Sequence, residues 1–322
     1  MAKTRALITG GAGFIGSHLA ERLLSDGEEV TIIDDLSTGS FENIAHLEGH
    51  PNFRYVIDTI LNEEAMADLI EEVDVVYHLA AAVGVAYVIE NILKSIQINI
   101  RGTEIVFEQA NRFKKKVVFF STSEVYGKSN SLPFSEEQDR VMGSTTINRW
   151  SYAATKAVDE ILALAYHREK KVPVVIVRCF NTCGPRQTGQ YGMVLPRFVK
   201  QALLGQPITV YGDGKQSRCF SSVYDVVEGV MRLARSDAAV GKIFNIGADT
   251  EISIEELAER VIALTGSTSK IEHVPYEKAY EQGFEDMRRR VPDLSRVRET
   301  VGFEPVVALD DLIKSVITYF ER

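Results

Sequence analysis

The chain predicts an α/β fold: a doubly wound parallel sheet with a smaller, interleaved C-terminal substrate-binding domain. Three observations point there. Short β-rich runs alternate with helical patterns from Arg5 to Phe180. Several strands, such as Val117–Phe120, are continuously apolar, which means burial on both faces and therefore parallel pairing. The first strand also runs directly into a glycine turn, Gly10, Gly13 and Gly16, followed by a helical pattern.

Strands are expected at Arg5–Thr9, Glu29–Ile33, Phe53–Asp58, Val75–Leu79, Lys116–Ser121 and Val174–Phe180. Helices are expected from the glycine turn to Leu24 and over 62–71, 91–112 and 151–170. After Phe180 the rhythm breaks. Glycine and proline punctuate 184–215, around a short helix near 194–204 and a strand at Ile208–Tyr211. One more α/β unit follows, a helix over 223–235 and a strand over Ile243–Gly247. Residues 248–322 hold two helices, a charge-rich loop and a final helix. The expected division is therefore 1–180 plus 223–247 for a nucleotide-binding domain, and 181–222 plus 248–322 for a substrate domain. The sequence shows neither an internal repeat nor a linker.

The glycine turn carries the first chemical signal. Glycine lets backbone N–H groups approach a pyrophosphate, and the helix N-terminus adds partial positive charge. Phe14 and Ile15 open that helix. Asp34 closes the second strand, eighteen residues after Gly16, where its carboxylate can accept both ribose hydroxyls of an adenosine. The same carboxylate would repel a 2′-phosphate, so NAD is expected over NADP. Asp35, Asp58, Leu79, Ala80, Ala81 and Asn99 join the cofactor-binding candidates of this Rossmann arrangement.

A second signal lies at Tyr152 and Lys156. Four residues apart on a helix, they share one face. A lysine beside a phenol favours the phenolate and makes a base near neutral pH, and it can also bind nicotinamide ribose.

Composition narrows the class. The 322 residues are 45% hydrophobic and 25% charged, with net charge −9, which is ordinary globular composition without a basic block for nucleic acid. The dense cation runs are Lys114–Lys116 and Arg288–Arg290. No apolar run approaches the ~18 residues of a membrane span. A strand begins within five residues of the first, so a secretory leader is not expected. Cys179, Cys183 and Cys219 fit no metal spacing and read as reduced thiols in a cytoplasmic protein; six scattered histidines suggest no metal.

The chain resembles the extended short-chain dehydrogenase/reductase family of nucleotide-sugar epimerases and dehydratases. The matching pieces run in order along nearly the whole chain: 9–16, His78–Ala81, Ser121–Gly127, Tyr152 with Lys156, Arg178–Arg186 and Val210–Gly214. The resemblance implies NAD, a nucleotide-sugar substrate (a UDP-sugar in particular) and a 4-keto intermediate. Thr122 would bind the sugar 4-OH and Tyr152 would take its proton. Asn181 and Arg218 would hold the diphosphate, with Val210 and Tyr211 near the base and Tyr87 near the substrate. Homodimerisation is also implied, through the helices carrying Ile161–Ala165 and Ile105–Phe107.

Within the family, Thr122-Ser123-Glu124 and Arg149-Trp150-Ser151-Tyr152 resemble the UDP-glucuronate decarboxylase branch, and Arg290 aligns with an arginine placed there at the substrate. A carboxylate beta to a 4-ketone loses CO₂ readily, and arginines could hold it while Ser123 and Glu124 orient or protonate. The segment Ala82–Tyr87 lacks the prolines typical of that branch. A 4-epimerase acting on UDP-glucose or UDP-glucuronate, and a 4,6-dehydratase using Glu124 at C5, therefore stay open.

Overall fold

The computed structural model describes residues 3–189, 193–275 and 287–321, without the side chains of 85–87. Its centre is a parallel sheet of seven strands: β1 (Arg5–Thr9), β2 (Glu29–Asp34), β3 (Phe53–Ile57), β4 (Val75–His78), β5 (Lys116–Thr122), β6 (Val174–Cys179) and, late in the chain, Lys242–Ile246. The spatial order is Lys242–Ile246, β6, β5, β4, β1, β2, β3. β1 pairs with β2 on one side and β4 on the other, so the strand order reverses at the carboxyl end of β1. In doubly wound sheets that reversal opens the crevice where ligands bind.

The continuous apolar strands do face two cores. Leu7, Ile33, Val76, Val117, Phe119 and Ile176 point to one side. There they meet α2 (Glu63–Glu72), α4 (Ile92–Phe113) and α5 (Trp150–Lys170), the short helix α3 (Val85–Glu90) lying between α2 and α4 in the sequence. Ile8, Ile32, Tyr77, Val118, Phe120 and Val177 point to the other, against α1 (Phe14–Ser25), the helix Val223–Arg235 and the helix Ser295–Val301. Each such side chain, fully buried, stabilises the fold by about 1.5–3 kcal/mol. Ile105, Val106 and Phe107 belong to the first of these cores. This corrects the expectation that they form a dimer surface: a helix turned by 100° per residue cannot present three consecutive residues outward, and the sheet claims this stretch. The exposed apolar residues on these helices are Leu93, Val158 and Ile161.

A third core lies beyond the sheet. The helices Val194–Leu203, Ile254–Thr265 and Leu309–Phe320 converge on Leu195, Phe198, Leu257, Val261, Ile313 and Val316. Short strand pairs tie this region together: Ile208–Tyr211 runs parallel to Ile271–Val274, and Ser217–Cys219 runs antiparallel to Glu251–Ser253. The helix Ile254–Thr265 starts with a capping box between Ser253 and Glu256 and stops at Gly266 in the left-handed region, φ 64°. Among the described residues no helix is long and apolar enough to cross a membrane.

A buried polar network stands behind the carboxyl edge of the sheet. Arg178 donates from Nε and Nη2 to Glu160 (2.9 and 2.7 Å), and from Nη1 to the Tyr126 hydroxyl (2.9 Å). Ser121 donates to the same Glu160 carboxylate (2.5 Å). Tyr126 donates to Asn245 Oδ1 (2.6 Å), and Asn245 Nδ2 donates to the carbonyl of Phe134 (2.8 Å). Phe134 exchanges backbone hydrogen bonds with Val291 and Asp293 (both 2.8 Å). Removing one partner of a buried ion pair leaves the other uncompensated and costs about 3–5 kcal/mol. Arg178→Met is therefore expected to lower the free energy of urea unfolding by that amount; a loss under about 1 kcal/mol would show that the network does not hold this edge.

Candidate active site

The glycine turn forms where β1 meets the end of β4. Gly10 has φ +73°, and a Cβ there would lie 2.9 Å from the Ala80 backbone nitrogen. A Cβ on Gly16 would lie 2.3 Å from the Gly10 carbonyl oxygen. Only glycine lets the turn close this tightly. Helix α1 then begins without a side-chain cap and without an acidic residue in its first turn. Its amides are left for an anionic ligand.

One cavity, of about 410 Å³, opens at this turn and follows the carboxyl edge of the sheet. Gly10, Gly13, Phe14, Ile15 and Gly16 line its first part, with Asp34, Asp35 and Asp58 beyond them. Leu79, Ala80 and Ala81 line its middle. Thr122, Ser123, Glu124, Arg149, Tyr152 and Lys156 line its far part, with Asn181 and Arg290. Residues spread over 280 positions of sequence thus reach one space.

Asp34 accepts hydrogen bonds from the backbone N–H of Ala12 (2.9 Å) and Leu36 (2.8 Å). Burial pushes its carboxyl above the ordinary range, against the pull of those N–H groups. A Cβ on Gly39 would lie 2.9 Å from Asp34 Oδ1, so glycine there keeps the carboxylate reachable. The turn without side chains, the open helix end and this carboxylate fit NAD: pyrophosphate on the turn, adenosine ribose on Asp34.

At the far end, Glu124 lies between two guanidinium groups. Arg149 Nη1 is 2.6 Å from one carboxylate oxygen and Arg290 Nη1 2.5 Å from the other. Side-chain exposures are 13% for Glu124, 3% for Arg149 and 10% for Arg290, so water screens these charges little. Burial alone would raise the Glu124 carboxyl; Arg290, Arg149 and Arg218 outweigh it and hold it at about 2. Arg149 also lies over the Trp150 ring, 4.7 Å from its centroid. Of the cation run, Arg290 alone turns inward. Arg288 pairs with Asp213 (3.2 Å) and Arg289 with Glu251 (2.7 Å), both at the surface.

The Thr122 hydroxyl accepts from the Glu124 N–H (3.2 Å) and, beside Tyr152, pulls its phenol down. The expected lowering of the phenol by Lys156 is not found. Burial, followed by the negative charge of Glu124, pushes Tyr152 above its ordinary value. The Lys156 ammonium is drawn elsewhere: it stands 3.9 Å from Asp159 and 4.2 Å from the Phe119 ring centroid.

Four predicted residues do not line the cavity. Asn99 is buried; its Oδ1 accepts from the Ala82 N–H (2.8 Å) and its Nδ2 donates to Thr155 (3.1 Å). It shapes the cavity wall through Ala82 instead of facing a ligand. The Val210 side chain is fully buried in the third core, which leaves only its backbone for a base. Tyr211 lies under the Arg197 guanidinium, 4.0 Å from centroid. Arg218 is 7% exposed and donates to the carbonyls of Ser217 (2.7 Å) and Arg288 (3.3 Å), near enough for its charge to act on Glu124. The side chain of Tyr87 lies outside the described residues. Sequence reading passed over Arg186, which lines the cavity with φ +68° and donates to Ser17 Oγ (3.2 Å) and Glu21 (2.5 Å) beside the glycine turn. Its signal was its place at the end of the Phe180–Arg186 motif.

Comparisons bear out the resemblance read from the motifs. The family model described as GDP-mannose 4,6 dehydratase matches residues 7–316. The chain is similar to the UDP-N-acetyl-α-D-glucosaminuronate decarboxylase of Bacillus cytotoxicus, 46% identical over 99% of this chain and 98% of that protein. It is similar to UDP-glucuronic acid decarboxylase 1 of Xenopus tropicalis, 37% identical over 99% of this chain and 73% of that one. Among solved structures it resembles the UDP-glucuronic acid 4-epimerase of Bacillus cereus in complex with UDP-glucuronic acid and NAD. That likeness has a TM-score of 0.89 and 30% identity over 98% and 99% of the two chains.

The cations lining the cavity are engaged away from Asp34: Arg149 and Arg290 on Glu124, Lys156 beside Asp159, Arg186 on Glu21. A 2′-phosphate would meet only carboxylate at the ribose. NADP is therefore expected to bind at least ~10-fold more weakly than NAD by titration calorimetry, a difference of about 1.4 kcal/mol. Equal affinities would remove this role for Asp34.

Proposed function

The chain belongs to the GDP-mannose 4,6-dehydratase family, within the extended short-chain dehydrogenases/reductases, and from that premise we propose that it decarboxylates a UDP-hexuronate through a 4-keto intermediate. One observation carries the reading. Two buried guanidinium groups, Arg149 and Arg290, meet a single carboxylate, Glu124, in the cavity that also holds Tyr152. The surplus positive charge suits a second carboxylate, and paired hydrogen bonds suit its planar geometry. A neutral hexose offers no such partner.

NAD, held by the glycine turn and Asp34, would supply a hydride acceptor for C4, the hydride returning to C4 once CO₂ has left, and its positive charge would favour the Tyr152 phenolate that burial opposes. Lys156 would hold the nicotinamide ribose. Thr122 would orient the sugar 4-OH and Tyr152 would take its proton. With C4 a ketone, the C5–C6 bond breaks, its electron pair moves into the carbonyl, and CO₂ leaves. Tyr152 and Thr122 would hydrogen-bond the enolate oxygen. Glu124, held at about 2, is no proton donor at neutral pH while both arginines face it. A substrate carboxylate sharing those arginines would raise it and make it available to protonate C5, with Ser123 beside it. Asn181, Arg186 and Arg218 would bind the diphosphate, and the backbone of Val210 and Tyr211 would face the base. The sequence division into a nucleotide-binding part and a substrate part is kept in this reading, the cavity lying between them.

The sugar's C2 substituent separates two substrates. We favour the 2-acetamido hexuronate, supported by the 46% identity to the enzyme named for it and by the small cavity wall of Ala81, Ala82, Val83 and Gly84. Plain UDP-glucuronate, expected from the motifs, is the second reading. Enzyme with NAD is to be incubated with each sugar, and with UDP-glucose, and the products weighed. Loss of CO₂ from a hexuronate is expected, and Tyr152→Phe is expected to cut the rate by ~100-fold or more. A hexuronate whose mass is unchanged, beside a neutral sugar that epimerises, would overturn the arginine argument.

We also read the protein as a homodimer, and as cytoplasmic from its three free thiols. Along α5, Ala154, Val158 and Ile161 form an exposed apolar stripe one and two turns apart, with Leu93 of α4 exposed as well. Ile161→Glu is expected to give a monomer by light scattering at micromolar concentration where the parent chain is dimeric; a parent chain that is itself monomeric would overturn the reading.

A further inference from the structure

Asp159 is a carboxylate that the reaction above does not use. It lies on α5 one turn beyond Lys156, with no side-chain exposure, and neither of its oxygens completes a hydrogen bond. A carboxylate so placed costs stability unless something requires its charge. Its charged neighbour is Lys156, 3.9 Å away and itself 3% exposed.

The groups around this pair leave Lys156 one counter-ion among the described residues. Glu160, on the same helix, is taken by Arg178 and Ser121. Glu124 is taken by Arg149 and Arg290. From β6, the Cys179 thiol is pushed up to about 12 by burial and stays neutral. From β4, burial drives His78 down to about 3, so it is neutral too. Phe119 of β5 offers only its ring face. From α4 comes Thr103. The Ala80 N–H donates to Thr9 Oγ1 (3.1 Å), and His78 links the Thr9 hydroxyl at Nδ1 (2.7 Å) to the Thr103 hydroxyl at Nε2 (3.0 Å). The Thr103 hydroxyl lies near enough to favour Asp159 as the anion, though burial, the larger effect, pushes its carboxyl up to about 6.

We infer that Asp159 is a positioning residue, the counter-ion that keeps Lys156 charged and aimed at the cofactor beside Tyr152. The inference rests on the reading of Lys156 as the nicotinamide-ribose ligand, not on the identity of the sugar. Burial lowers Lys156, and the Asp159 carboxylate 3.9 Å away is the largest of the charges that oppose this. Without that charge the lysine loses its charge-assisted hydrogen bonds to a ribose.

The test is a cycle of Asp159→Asn, Lys156→Met and the double variant, read by thermal unfolding and by calorimetric NAD affinity. In the parent background Asp159→Asn leaves a buried ammonium alone, so Tm should fall by at least about 3 °C. In the Lys156→Met background the same change removes a stranded carboxylate, so Tm should rise. NAD affinity should fall ~10-fold in Asp159→Asn and recover substantially in Asp159→Glu. The same sign of Tm change in both backgrounds, or unchanged NAD affinity, would overturn the inference. Neither readout involves a sugar, so a wrong hexuronate leaves the result intact. If Asp159→Asn does not fold, the ε-carbon resonance of Lys156 in ¹³C-lysine-labelled parent protein decides: an ammonium at pH 8 supports the pair, and a neutral amine overturns it.

Discussion

The site depends on how the buried Arg178–Glu160 pair is satisfied. A guanidinium on a central strand and a carboxylate on α5 can stay in the interior only if every donor finds an acceptor. Satisfying them fixes β5 through Ser121, the turn after it through Tyr126, and the late edge strand through Asn245. Thr122 follows Ser121 directly, and Tyr152 lies two turns before Glu160 on the same helix. The network therefore sets the relative placement of the Thr122 and Tyr152 hydroxyls.

The same network reaches the arginines. Asn245 holds the Phe134 carbonyl, and Phe134 pairs with Val291 and Asp293, the residues immediately after Arg290. An arginine 166 positions from Glu124 is brought to 2.5 Å by a backbone bridge and not by its own charge alone. Arg290 enters while Arg288 and Arg289 remain outside because the Ser217–Arg288 backbone bond holds one end of the segment, where Arg288 and Arg289 find surface carboxylates, and the Phe134–Val291 bond draws the other end to the sheet edge. Charge placed this way is preorganised, which is what stabilising a developing enolate requires.

Electrostatics divides the cavity. At the Asp34 end carboxylates predominate and the backbone supplies the positive field, through the amides of the glycine turn. At the Glu124 end guanidinium groups predominate. Between them the Tyr152 phenol is buried, raised by burial and by the charge of Glu124. A phenol in that position becomes a base only when positive charge is brought near it.

The glycine turn, the helix after it, Asp34 and the Tyr152–Lys156 pair were legible in the sequence because each depends on local geometry: spacing along a helix, the end of a strand, the freedom of a residue without Cβ. The parallel sheet was legible because double burial leaves continuous apolar strands. The motifs also carried the family. What the sequence could not decide depends on contacts between distant segments. Asn99 read as a ligand contact but is spent on the Ala82 backbone; Ile105–Phe107 read as a surface but faces the sheet; Arg186 stood out only as the end of the Phe180–Arg186 motif, and Asp159 carried no local signal. Which arginine of three meets Glu124, and whether a lysine lowers a phenol or leans on a neighbouring carboxylate, is decided by burial and by competition for partners. Both are properties of the packed chain, since desolvation and pairing energies exist only once the surrounding segments have closed around the charge.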